Sequence, residues 1–155
     1  MKGNIHRKEA HLSNEIRGWS GPVKTWEDRI DPVAVKQLAE DEYSFSCREV
    51  FVMASPSAPP AADRVPLEML ARGNTYIEAQ RFAAVGHQIK YAEAKGMLTL
   101  EGNQQRLAQL WQRNKVDGPV SQTGRARIIR FWPQSGQLQV DGGRGLDMAA
   151  SVSQR

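Results

Sequence analysis

Ile89 to Gly102 reads IKYAEAKGMLTLEG, and Ile129 to Gly142 reads IRFWPQSGQLQVDG. The offset is forty positions. Four of the fourteen aligned residues are identical: Ile89/Ile129, Gly96/Gly136, Leu98/Leu138 and Gly102/Gly142. Lys90/Arg130, Tyr91/Phe131, Leu100/Val140 and Glu101/Asp141 are conservative pairs. The repeat is physical as well as literal, because both copies describe a β-hairpin. Alternate side chains of a strand share a face. Ile89, Tyr91, Leu98 and Leu100 therefore face one way, and Lys90, Thr99 and Glu101 the other. In the second copy Ile129, Phe131, Leu138 and Val140 face inward, with Arg130, Gln137, Gln139 and Asp141 outward. Gly96 and Gly136 close the two loops, where a four-residue hairpin loop needs a residue at positive φ. Pro133 suits the start of the second turn. Ala, Glu, Lys and Leu in the first copy also favour helix. Gly96, the period of two and the β-friendly second copy decide for strands.

Working outward, Arg81 to Tyr91 reads as the strand entering the first hairpin, with Val85, His87, Ile89 and Tyr91 on one face. Leu67 to Ala79 reads as one long strand, bent at Gly73-Asn74, a pair echoed by Gly102-Asn103. Tyr43 to Met53 reads as a strand whose apolar residues change face between Phe45/Cys47 and Val50/Val52, a sign of a bulge or of cover on both faces. Between these strands, Ala54 to Pro66 carries four prolines and is a loop. Arg106 to Arg113 (RLAQLWQR) fits either period, and its β surroundings favour a strand with Leu107, Gln109 and Trp111 alternating. Asn114 to Gly124 is expected to be turn and loop. Leu146 to Met148 makes a last short strand, and the tail from Ala149 is expected to be disordered.

The first 42 residues are less regular. Met1 to about Leu12 reads as a flexible arm. His6 and His11 lack the acidic or Cys neighbours of a metal site. Trp19 and Trp26 flank turn residues, and their rings can anchor an extended segment or simply join the core. Asp31-Pro32 opens the one convincing helix, with Asp31 as cap and Pro32 at the first helical position, running to about Glu42. Its acidic end opposes the helix dipole, so two or three turns are expected. The organisation is then residues 1–42 as arm and short helix, 43–148 as the β domain and 149–155 as tail.

Composition bounds the function. The chain has 155 residues, 40% hydrophobic and 25% charged, as in ordinary globular domains. It has no apolar run of about eighteen residues, the length of a membrane span. The N-terminus lacks the apolar region of a signal peptide, so the chain is either cytoplasmic as it stands or part of a longer exported protein. A single cysteine, Cys47, excludes an internal disulfide. The net charge is +4, and residues 64–155 hold thirteen basic against seven acidic residues. A basic β region suits polyanions or anionic head groups, and equally an ordinary solvated surface. No paired-carboxylate, Ser/His/Asp or phosphate-loop arrangement supports an enzyme, and His87 has no acid or nucleophile beside it in sequence. No cofactor or metal is expected.

The order Ala71, Gly73-Asn74-Thr75, Ile77-Glu78-Ala79, then Phe82, Ala84, Gly86, Ile89, Tyr91, Leu98, Leu100 and Gly102-Asn103, recurs in part from Ala126 to Met148. It resembles the OstA-like domain, the β-jellyroll module of lipopolysaccharide-transport proteins, over roughly residues 43–148. Ala92 and Trp132 stand where such units usually carry Asp, and the inserts Ala54–Pro66 and Arg113–Gly124 are long, so the chain looks like a divergent, planctomycete-like member. The resemblance implies a mostly β fold, an antiparallel β-jellyroll or open sandwich. It implies binding and passage of amphipathic lipid or lipopolysaccharide without chemistry, in the periplasm or cell envelope. It also implies joining to copies of itself or other such domains through edge strands. The inner face would then be Val85, Ile89, Tyr91, Leu98, Leu100, Ile129, Phe131, Leu138 and Val140, residues that can equally fill a plain core. Arg125, Arg127 and Arg130 can meet lipid phosphates or stand as a solvated edge. Two alternatives remain open: an assembly module that uses edge strands alone, and single-stranded DNA or RNA binding through Arg125, Arg127, Arg130, Phe131 and Trp132.

Overall fold

The computed structural model of the chain describes residues 2–4, 9–20, 38–39, 42–55, 65–115, 118–142 and 146–148. They form β1 (Lys2–Asn4), β2 (Glu9–Ser20), β3 (Tyr43–Ala54), β4 (Leu67–Ala79), β5 (Phe82–Ala92), β6 (Met97–Glu101), β7 (Ala108–Arg113), β8 (Val120–Ala126), β9 (Ile128–Trp132), β10 (Gln137–Asp141) and β11 (Leu146–Met148). The fold is mostly β and antiparallel, as expected. One path runs β1-β2-β3-β4-β5-β6-β9-β10, and a second leaves β5 through β7 and β8 to β11.

The repeated stretches are the two hairpins. Ile89 pairs with Leu100 and Tyr91 with Leu98; Ile129 pairs with Val140 and Phe131 with Leu138. The loops are 93–96 and 133–136, closed by Gly96 at φ 54° and Gly136 at φ 69°. β6 pairs with β9, so the copies lie side by side.

Every long strand bends along one line. The register slips between Ser13 and Ile16 in β2, between Ser46 and Glu49 in β3, and between Arg72 and Thr75 in β4. β2 turns through two consecutive left-handed residues, Asn14 and Glu15, and β4 through Gly73 and Asn74. Their partners cross the line opposite a single residue, Arg48 in β3 and His87 in β5. The line divides the sheet into two leaves. The first holds β1, β6, β9, β10 and the segments 9–13, 49–54, 67–72 and 88–92. The second holds β7, β8, β11 and the segments 16–20, 43–46, 75–79 and 82–86.

The bend explains the apparent change of face in β3. Cys47 and Val50 are three apart yet share one buried cluster. Ala84 and Ile89, and Ala126 and Ile129, share the other. At each pair the strand turns, and both residues stay on the concave side. The leaves then pack together: the Phe82 ring of the second leaf meets Phe131 of the first edge-on at 5.0 Å between centroids. A Cβ placed on Gly124 would lie 3.3 Å from Leu138 Cδ2. Small residues on the second leaf, namely Ala84, Ala108, Gly124 and Ala126, thus leave room for large ones on the first, while Gly18 leaves room for the ring of its ladder partner Phe45.

Several expectations need correcting. Where a flexible arm was expected, β1 pairs with β2, and β2 pairs with β3 from Glu9 to Ser20. Ala10, Leu12, Ile16 and Gly18 continue the inward rows, a pattern too sparse in apolar residues to stand out. The helix expected from Asp31 falls mostly outside the described residues. Leu38, Ala39 and Glu42 are described and are not helical; the Glu42 carboxylate accepts the Ala39 N–H at 2.7 Å. Among the described residues there is no α-helix, and one 3₁₀ turn, Glu93–Lys95. Trp26, most of the Ala54–Pro66 loop and the tail from Ala149 also lie outside them. The expected loop before Gly124 is instead β8, held by its backbone ladder to β7 despite polar side chains. In β7 the buried residues are Ala108 and Leu110, not Leu107 and Trp111. β5 turns at Gly86 to Gln88, so Val85 and His87 do not share the face of Ile89 and Tyr91, and His87 is exposed.

A Gly73→Ala variant is expected to lose about 1–3 kcal/mol, because φ is +82° there and the new Cβ would sit 2.6 Å from Arg48 Cβ. Asn74→Gly, also at a left-handed position, should change stability by less than about 1 kcal/mol. Urea unfolding of both variants checks this.

Candidate binding surfaces

Two apolar rows cross seven strands of the first leaf. One is Leu12, Val50, Ala71, Ile89, Leu100, Ile129 and Val140, each registered with the next. The other is Ala10, Val52, Met69, Tyr91, Leu98, Phe131 and Leu138. Eight of the nine residues expected on the inner face lie in these rows. Ile89, Leu98, Leu100, Ile129 and Phe131 are at most 2% exposed, sealed between the leaves. Tyr91, Leu138 and Val140 pack against them, partly buried. Val85 is the exception and lies on the convex side.

The rows are less covered toward β2. Val50 is buried, but Leu12, Ile16, Phe45 and Met69, which pack around it, are only partly buried, as is Val52. The concave face is therefore filled at the hairpin end and partly open at the other. This partly open stretch was not singled out from the sequence, because strand periodicity shows which side a residue takes and not how deeply it is covered.

On the convex side of the hairpins, charges alternate and pair. Lys90 Nζ lies 3.0 Å from Glu101 Oε1, and the Arg130 guanidinium pairs with Asp141. Both pairs remain open to solvent, the second one partly, and are worth about 0–1 kcal/mol each. The Arg72 Nε–H donates to Gln88 Oε1 at 2.9 Å, and Gln88 Nε2 to Glu101 Oε2 at 3.2 Å. Arg72 also stands over the Phe51 ring, on which His11 stacks at 4.1 Å.

The three arginines expected to meet anions do not gather. Arg125 is exposed on β8 of the second leaf, Arg127 is exposed at the bend, and Arg130 is half-buried and paired on the first leaf. Phe131 is 1% exposed and faces the core, so it cannot join them in a basic-aromatic surface.

The bend assembles a different set, also missed from the sequence. A cleft of about 190 Å³ opens there, lined by Asn74, Thr75, Tyr76, Val85, Gly86, His87, Asn103, Arg106 and Leu107. The β6–β7 connection forms one wall. Gly102 N–H donates to Arg127 O at 2.8 Å, and Asn103 Oδ1 accepts the N–H groups of Gln105 and Arg106 at 2.9 and 2.8 Å. A second groove of about 320 Å³ lies against the first hairpin, with Met53, Met69 and Met97 beside Lys90 and Lys95.

Titratable groups add little chemistry. Burial raises the Cys47 thiol above its ordinary range, against opposing backbone hydrogen bonds. Among the described residues no group of three His, Cys, Asp or Glu stands together as a metal site. No helix among them is long and apolar enough to cross a membrane. No family model matches the chain, and no curated protein matches it.

Tyr76 yields a test of the bend's electrostatics. Burial, and then the Glu78 carboxylate that accepts its hydroxyl, push its phenol up to about 12, with Arg113 pulling the other way. The folded value lies above the unfolded value of about 10. The stabilisation is thus complete below pH ~10 and is lost as pH rises through ~12. Urea midpoints measured across that window should fall more steeply for the parent chain than for Tyr76→Phe.

Proposed function

We propose that the chain is a non-catalytic module that binds and passes amphipathic lipid, an OstA-like β-jellyroll of the lipopolysaccharide-transport kind. The observation that carries this is the pair of apolar rows, sealed at the hairpin end and partly open around Leu12, Ile16, Phe45, Val52 and Met69. An acyl chain laid along the open part would continue the existing core, gaining about 25 cal/mol for each Å² of apolar surface removed from water. Eight of the nine residues inferred from the resemblance, all but Val85, then act mainly as the wall that shapes the trough, and the partly open stretch acts as the contact. On this reading the module works in the cell envelope, as a segment of an exported chain.

A second reading, assembly through edge strands, is favoured by the sheet's margins. Among the described residues β10 pairs only with β9, β11 only with β8, and β1 only with β2. Each offers a strand edge for pairing with another copy or a related domain. The nucleic-acid alternative has less support, since Phe131 is inward and Arg130 is paired.

Native mass spectrometry with added lipopolysaccharide or lipid A tests the lipid reading. Bound lipid is expected on the parent chain, and about tenfold weaker binding in Met69→Glu, where a carboxylate would have to be desolvated against the acyl chain. Circular dichroism controls for folding. A folded chain that stays free of lipid, or binds it equally with Met69→Glu, would overturn the proposal.

A further inference from the structure

The cleft at the bend shares no lining residue with the open part of the apolar trough. Its polar lining consists of groups able to donate hydrogen bonds. Asn74, Thr75, His87, Asn103 and Arg106 are among the lining residues, and no aspartate or glutamate is. Asn103 already spends its carbonyl oxygen on two backbone N–H groups, which leaves its NH2 as a donor. The same turn sets the backbone of Arg106. Asn74 and Asn103 are the second residues of the two Gly-Asn pairs, brought together because both pairs sit on the bend.

Thr75 supplies the second, independent observation. It is 2% exposed and lines the cleft, and its Oγ1 has no hydrogen-bond partner. A buried hydroxyl left unsatisfied costs about 1–3 kcal/mol, and most such groups in folded proteins find a partner. The volume, about 190 Å³, is below the ~300 Å³ usual for larger ligands. A compact oxyanion matches that size. It also supplies several acceptor oxygens to a site of donors, and a guanidinium meets such an oxyanion with paired N–H groups.

We propose that the cleft at the bend, built by Asn74, Thr75, His87, Asn103 and Arg106, binds a phosphate group, either free or as a phosphate monoester. Two-dimensional amide NMR of the chain titrated with inorganic phosphate, at constant ionic strength set by chloride, tests this. Saturable shifts are expected at these five residues. Binding should weaken about tenfold in Arg106→Gln, as for loss of a charge-assisted hydrogen bond, and severalfold in Thr75→Val. Thr75→Val should melt no lower than the parent chain, because it removes an unsatisfied hydroxyl at nearly constant shape. Arg106 is exposed, so Arg106→Gln keeps the test valid if Thr75→Val folds poorly.

A second arm uses phosphatidylcholine vesicles with and without phosphatidic acid. Co-sedimentation that depends on phosphatidic acid and is lost in Arg106→Gln would assign the phosphate to a lipid head group. Saturable inorganic phosphate binding without vesicle binding would assign a soluble phosphate. Shifts that do not saturate, or that persist unchanged in both variants, would overturn the proposal. Loss of lipopolysaccharide binding in Met69→Glu leaves this result untouched, so the two proposals fail separately.

Discussion

The bend is the constraint on which the rest of the structure depends. A sheet long enough to carry both apolar rows would present one wide greasy face to water if it stayed flat. Folding it along a line closes that face on itself, provided that each strand keeps its apolar residues concave on both sides. The chain meets this condition in two ways. β2 and β4 insert two left-handed residues and keep their alternation. β3, β5 and the β8–β9 passage turn within a short span and change alternation, so that Cys47 and Val50, Ala84 and Ile89, and Ala126 and Ile129 end on the same side. Neighbouring strands thus use complementary devices, an extra residue against a change of face, and the ladders resume in register beyond the line.

What could be read from sequence follows from this. Where strands are straight, the period of two is reliable: both hairpins, their loops and eight of the nine inward residues lie as read. At the bend the same rule misleads. Val85, His87 and Ile89 alternate in sequence, yet the strand turns between them. In β3 the turn left a trace, because apolar residues stand on both sides of it. In β5 it left none. β8 was hidden for another reason. Ser121, Gln122 and Thr123 are held by backbone pairing, which writes nothing into side chains, and the inward positions Gly124 and Ala126 are small because they face Leu138 and Ile129.

The two candidate surfaces differ in how visible they could be. The apolar face is local in sequence, two residues apart along each strand, so its side was legible, although not its depth of cover. The cleft draws on Asn74, His87 and Arg106, which no periodicity connects. Only the meeting of two strands and one connection at the bend makes them neighbours. The one hint was the repeated Gly-Asn pair, whose glycine marked a turn while its asparagine went unexplained. Electrostatics separates the surfaces further. The hairpins' convex side is charge-balanced by Lys90–Glu101 and Arg130–Asp141, whereas the cleft has no acidic lining residue to answer Arg106.

Because the long strands pass through the bend, neither leaf is made from a continuous piece of chain. Each is assembled from segments that alternate along the sequence with segments of the other. Neither can be completed first and serve as a template for its partner. Most of the ladder contacts join residues distant along the chain, and such topologies order slowly and all together. The expected folding behaviour is therefore a single cooperative transition in which both leaves, the trough and the bend appear at once, with hydrogen-exchange protection that does not divide at the fold line. A truncation within any long strand would remove part of both leaves.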